Sequence, residues 1–322
     1  METIDIPNPD WTIIRQALSL ALMKTTPITI GRGAAFIAEH PEYRPIFDDI
    51  ARMAGESGAG RLIADAGSII FEPHPLAPGK FRYETGHVSS AVEILLFLMP
   101  ALYHYDFRSV LDLGGVTHSP LSVPTAFVKE SLLAALERRG LYGSLTLRRF
   151  GFHGSGGGNM ESRIYPREAR NVRLFTVGGP PEITGARIFI SRLDTGLAEL
   201  EKGMIVEKTG MDAKSIAIIE IMESDGPGNG IQVFASLHGM PVVLFREMML
   251  YDSRGELAFS EEALHDGIDG LAGETRRLLE GSLPELLVRE LIPYCALTGS
   301  ETPPAGASAG ISMTRELCET ML

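Results

Sequence analysis

Apolar positions recur at helical spacing in Ile13–Met23 (IIRQALSLALM), with Arg15 and Gln16 near its start, and predict a first helix. The β-branched run Pro27–Ile30 then reads as a short strand. A second helix is expected over Tyr43–Gly55, and Leu62–Phe71 as two short strands around Asp65–Gly67. The same order then recurs: a helix at Ser89–Tyr105, a strand at Ser109–Leu113, a helix at Thr125–Arg139, and strands at Ser144–Phe150 and Glu161–Tyr165. The offset is roughly 80 residues, a repetition of pattern and not of identity, and it predicts a scaffold of βαβ-like units.

From about Ile183 the texture changes. Arg187–Ser191 reads as a strand, Thr195–Glu207 as a helix, Ser215–Met222 (SIAIIEIM) as a buried strand, and Ile231–Leu237 and Pro241–Leu250 as two more. A long helix follows at Ser260–Glu280, with Ser260 as its cap and Glu261 and Glu262 in its first turn. Leu286–Leu297 is a further apolar helix, Thr298–Ser308 a loop broken by two prolines, and Met313–Met321 a closing helix. The expected fold is mixed α/β, of α+β type. Residues 1–182 and 260–322 form a large repeat domain, and residues 183–259 a smaller inserted one.

Composition narrows the classes. A chain of 322 residues that is 44% hydrophobic and 22% charged can build a full core. No apolar run reaches the roughly 18 residues of a membrane span; the closest, Ala91–Tyr105, contains Glu93 and His104 and reads as a buried helix. The acidic N-terminus has no signal-peptide pattern, and Cys295 and Cys318 suit neither a disulfide framework nor a zinc site, so the expected address is the cytoplasm. A net charge of −12 argues against nonspecific nucleic-acid binding. Yet Arg138–Arg173 holds eight arginines and two acids, a local patch of the kind an RNA end would need.

Three loops are candidates for chemistry. In Gly151–Gly158 (GFHGSGGG) the backbone amides around Gly156, Gly157 and Gly158 can approach a phosphate, because glycine has no Cβ. No Gly-Lys-Ser/Thr follows and Asn159–Tyr165 alternates like a strand, so this is neither a P-loop nor a dinucleotide loop, and a plain turn explains it as well. Asp225–Asn229 (DGPGN) packs turn dipeptides between two strands, with Asp225 and Asn229 at its ends. Gly114–Pro124 (GGVTHSPLSVP) leads from strand to helix, and its Thr117, His118 and Ser119 suit either an anion near the helix start or a capped turn. A hydrolase is excluded. Gly306–Gly310 (GASAG) fits G-x-S-x-G, but two prolines stand where its strand must lie, and no histidine follows His265. No histidine pair has metal-ligand spacing.

Together these segments resemble the RNA 3'-terminal phosphate cyclase family. Arg15 sits in a stretch similar to the family's first helix, and Gly86–Leu102 resembles its buried second-repeat helix. Gly114–Pro124 is similar to its Gly-Gly-Thr loop, Arg149–Gly158 to its Arg-His-Gly-Phe…Gly-Gly-Gly segment, Asp225–Asn229 to its Gln-Gly-Pro-Gly-Asn loop, and Pro293–Gly299 to its Pro-Met-Ala-Leu-Ala-Gly. The resemblance implies a large repeat domain with a small insert, a scaffold class shared with enolpyruvyl transferases. It also implies ATP and a divalent cation as cofactors and an RNA 3' end as partner. In that reaction a late histidine takes AMP from ATP and passes it to an RNA 3'-phosphate, which the vicinal 2'-hydroxyl then cyclises.

The matching stretch here, Thr302–Gly310, has no histidine. A nucleophile in covalent catalysis is worth on the order of a millionfold. The family's opening Glu-Gly-Gly-Gly-Gln is Pro7–Thr12 (PNPDWT), its arginine-rich loop is Gly31–His40, its buried glutamine falls at Leu96 and its late aspartate at Arg289. What remains for phosphate or RNA, by this resemblance, is Arg15, Arg44, Arg149, the loop Gly156–Gly158, Thr117, His118, Asp225 and Asn229. The expectation is a cyclase-like protein that binds RNA or phosphate, or assists assembly like the family's histidine-free branch, without adenylylation. The alternative is an active cyclase with another nucleophile. The chain's end soon after Met313–Met321, where the family adds strand residues, leaves room for a protein partner or a second copy.

Overall fold

The computed structural model describes residues 2–65, 67–77, 79–165, 179–248, 260–303 and 308–322. Strand β1 (Glu2–Asp5) leads into helix α1 (Trp11–Lys24), whose N-cap Asp10 accepts a hydrogen bond from the Ile13 amide and which stops where Thr25 turns left-handed. Strand β2 (Ile28–Gly31), helices α2 (Gly33–Glu39) and α3 (Arg44–Glu56), and strands β3 (Gly60–Asp65) and β4 (Ser68–Pro73) complete the first unit. Its sheet has the order β1-β2-β4-β3. The second unit repeats this: β5 (Gly79–Glu84), α4 (Ala91–His104), β6 (Ser109–Gly115), α5 (Leu133–Glu137), β7 (Gly143–Arg149) and β8 (Gly158–Ile164), in the order β5-β6-β8-β7. Both units begin with a parallel strand pair and continue with two antiparallel pairs. The repetition read from the hydrophobic pattern is therefore a repetition of topology.

Two strands of that repeat have no counterpart in the sequence reading. β1 and β5 are edge strands of four and six residues; each turns apolar residues inward, Ile4 in β1 and Phe81 and Tyr83 in β5, between exposed polar ones, a period-two signal that is short and charge-rich. The stretch Gly31–His40, left without an element, holds α2. Helix α5 opens as a π-helical turn over Phe127–Leu132 before becoming α-helical over Leu133–Glu137.

A third sheet, β10-β9-β11-β12, is built from β9 (Glu182–Ser191), α6 (Thr195–Thr209), β10 (Ile216–Glu220), β11 (Gly228–Leu237) and β12 (Met240–Glu247). β12 ends before Leu250, and residues 249 and 250 lie outside the described residues. Helices α7 (Glu261–Leu279), α8 (Glu285–Thr298) and α9 (Ala309–Met321) follow. Ser260 caps α7 as its position predicts. α9 starts earlier than Met313 because Ser308 accepts from the Ile311 amide and nucleates the helix there.

The core is centred on α4, buried along nearly its whole length, with α1 packed against it and α8 behind. The third sheet docks on the second unit. The Val243 amide of β12 donates to Ser131 Oγ at 2.7 Å, Phe127 meets Phe245 at 5.7 Å between ring centroids, and Phe150 meets Phe189 at 5.3 Å. Among the described residues no helix is long and apolar enough to cross a membrane.

Candidate functional site

The sequence-selected residues fall into two places. The first is a cleft of about 300 Å³ where the starts of α1 and α4, the loop after β6 and one face of α8 converge. Asp10, Trp11, Arg15, Tyr43, Glu93, Ser122, Arg289 and Glu290 line it. Arg15 is 2% exposed. Its Nε lies 2.9 Å from Glu93 Oε2, and its Nη2 is paired with Glu290 Oε1. Glu93 is further held by the Trp11 indole N–H at 2.7 Å and the Ser122 hydroxyl at 2.9 Å. Burial raises Glu290 above the usual carboxylate range, although Arg15 pulls it back. Burial alone would lower Arg15, but Glu290 and Glu93 together raise it. The second guanidinium of the wall, Arg289, donates to Asp10 Oδ1 at 2.8 Å. Three carboxylates thus face two guanidiniums, and no lysine lines the cleft.

A second cavity of about 460 Å³ adjoins the cleft, sharing Phe245, Leu286 and Arg289 and reaching Arg246, Arg277 and Ser308. Ser308 stands in the stretch matching the family's histidine, and its hydroxyl oxygen caps α9. None of the chain's eight histidines lines either cavity. Among the described residues no cluster of three or more metal-ligating side chains is formed.

The second place is a glycine-walled surface between the second unit and the third sheet. Gly151, Gly158 and Gly115 stack so closely that a Cβ at Gly158 would lie 2.6 Å from the Gly151 nitrogen and 2.7 Å from the Gly115 oxygen. Gly156 and Gly157 take φ of 66° and 69°, a left-handed conformation that favours glycine. Arg149, at the end of β7, donates to the Gly157 carbonyl at 3.0 Å and to Asp225 Oδ1 at 2.5 Å. Both charged side chains of that pair remain 41% and 48% exposed. Thr117 and His118 back this loop: both of their amides donate to the Gly151 carbonyl, at 2.8 and 3.0 Å. His118 stacks on Phe150 at 4.7 Å, bonds Thr117 Oγ1 through Nδ1 at 2.9 Å, and is pushed down to about 3 by burial. It is a neutral packing residue at physiological pH.

The structure therefore gathers Thr117, His118, Arg149, Gly156, Gly157, Gly158 and Asp225. It sets Arg15 apart in the cleft and Arg44 on the surface of α3, paired with Asp48 at 2.8 Å. Asn229 turns inward, where its Nδ2 donates to Glu201 Oε2 of α6 at 2.9 Å. Among the described residues Glu201 Oε1 and Asn229 Oδ1 find no hydrogen-bond partner, and burial pushes Glu201 up to about 7 despite the Nδ2 hydrogen bond. Sequence reasoning missed Glu93 and Glu290. Their signal was there: a lone carboxylate inside an apolar helix must find a buried partner.

Comparison with known proteins follows the same outline. Residues 11–320 match the sequence model of the family described as RNA 3'-terminal phosphate cyclase. The chain is 28% identical over 294 residues to the RNA 3'-terminal phosphate cyclase of Ralstonia nicotianae, an alignment covering 89% of this chain and 81% of that relative. It is 29% identical to the one of Pseudomonas fluorescens over 67% of this chain and 64% of the relative. To that of Koribacter versatilis it is 28% identical over 69% and 63% respectively.

Proposed function

Because this chain belongs to the RNA 3'-terminal phosphate cyclase family, we propose that it binds RNA 3' ends or their phosphates, as a binding or assembly factor, without forming an adenylate. The observation that carries this is the combination at the cleft: no histidine lines it, and the only hydroxyl in the matching stretch that faces the adjoining cavity, Ser308, caps a helix. A nucleophile needs a base within hydrogen-bond reach. No histidine shares a cavity wall with Ser308.

ATP and its metal would supply the adenylate and the charge neutralisation for the family's chemistry. The residues here do not fit that group. Both guanidiniums of the cleft are engaged, and a triphosphate would meet a wall of net negative charge. RNA binding falls instead to the glycine surface. Arg149 is exposed there, and its partner Asp225 is exposed too, so exchange of a carboxylate for a phosphate costs little. We take residues 183–259 as the inserted smaller domain, which contributes Asp225 to this surface.

Radiolabelled ATP tests the reading. The purified protein should acquire no covalent AMP and leave 3'-phosphorylated RNA uncyclised, while binding that RNA with an affinity that falls as salt rises. Covalent AMP, or cyclised ends, would establish the alternative, an active cyclase with another nucleophile.

A further inference from the structure

Arg15 belongs to the motif that would hold a phosphate, yet its contacts are all made from within the chain. Glu93 comes from α4 and Glu290 from α8, so two helices far apart in sequence each deliver one carboxylate to one guanidinium. Both acids are deeply buried, at 4% and 3% exposure, and Arg15 is at 2%. Glu93 is pinned by Trp11 and Ser122, and so cannot swing away from Arg15 without breaking two further hydrogen bonds.

We infer that Glu93 and Glu290 are specificity-determining residues of this cleft: their carboxylates take the place of an anion at Arg15 and exclude anionic small molecules. The inference stands apart from RNA binding at Arg149, because it concerns a different guanidinium and a different cavity. Desolvating a guanidinium is costly unless an opposite charge meets it. Here that charge is built in. An incoming oxyanion would have to displace a buried carboxylate and leave it next to another. Removing one carboxylate would free Arg15 to bind an anion again.

Trp11 is the chain's only tryptophan, lines the cleft and bonds Glu93, so its fluorescence reports cleft occupancy directly. The experiment titrates inorganic pyrophosphate into the full chain and into its Glu290→Gln and Glu93→Gln variants, following Trp11 emission. The wild-type protein should show no saturable change. A variant that keeps its fold by circular dichroism should gain one, with apparent affinity at least roughly tenfold above any wild-type response, the scale of one removed close charge contact. A saturable wild-type response that disappears in Arg15→Lys overturns the inference. So does silence in every variant that folds. If neither variant folds, the wild-type titration decides alone, silence supporting the inference and an Arg15-dependent response refuting it. RNA retention, measured separately, reads the glycine surface and not this cleft.

Discussion

Arg15 and Arg149 make the same kind of contact in opposite surroundings. Each guanidinium is met by carboxylate from another part of the chain, Arg15 by Glu93 and Glu290, Arg149 by Asp225. Arg15, Glu93 and Glu290 are almost wholly shielded from solvent, and the pairing is packed between α1, α4 and α8. Around Arg149 solvent reaches both partners, and a Coulomb contact at that distance is screened to a fraction of its buried strength. The difference teaches that an arginine in a phosphate-binding motif is informative only with its burial. An exposed pair is exchangeable, whereas a buried one is structure.

The largest effect should come from Arg15→Met. It leaves Glu93 and Glu290 buried without a counter-charge, which should cost about 3–5 kcal/mol in urea unfolding; a loss below about 1 kcal/mol would erase the contrast drawn above. Gly158→Ala comes next. Its Cβ would press on backbone atoms of Gly151 and Gly115 that cannot rotate away, and about 1–3 kcal/mol of stability should go. RNA binding should weaken with it, as read by filter retention.

The pH dependence of Glu201 gives a third measure. Its folded-state value of about 7 lies above the ordinary 4.5, so the stability it contributes is full below about 4.5 and lost as pH rises through about 7. The melting temperature of the wild type relative to Glu201→Gln should therefore fall across that window, and a flat difference would refute it. The smallest stability change belongs to the exposed pair. Arg149→Ala should cost under about 1 kcal/mol, yet it should weaken RNA binding and flatten its salt dependence, while Asp225→Asn should strengthen binding. An Arg149→Ala protein with unaltered RNA affinity would remove the glycine surface from the proposed function.

Much of the architecture was legible before any coordinates. Helices α1, α4, α7 and α8 announce themselves through periodicity and through capping residues such as Ser260. The β1 and β5 edges went unread although Ile4, Phe81 and Tyr83 alternate inward, because each alternation spans only one or two apolar positions set among charged residues. At the site, Arg149 came from the family resemblance, whereas local sequence located the glycine loop, since turn geometry is written in neighbouring residues. It could not locate the partners of Arg15, which stand 78 and 275 positions away and meet it only after α4 and α8 pack. Thr117 and His118 suited either an anion or a capped turn in sequence; in the fold their amides donate to the Gly151 carbonyl and the His118 ring stacks on Phe150.

The seam between α1 and α4 joins the two repeated units, and nearly every residue on both helices is buried there. The Arg15–Glu93 bridge and the Ser19 hydroxyl, which donates to the Phe97 carbonyl at 2.9 Å, cross that seam at two points. They act as dowels between the two repeated units, adding directional polar contacts to an interface otherwise made of apolar packing.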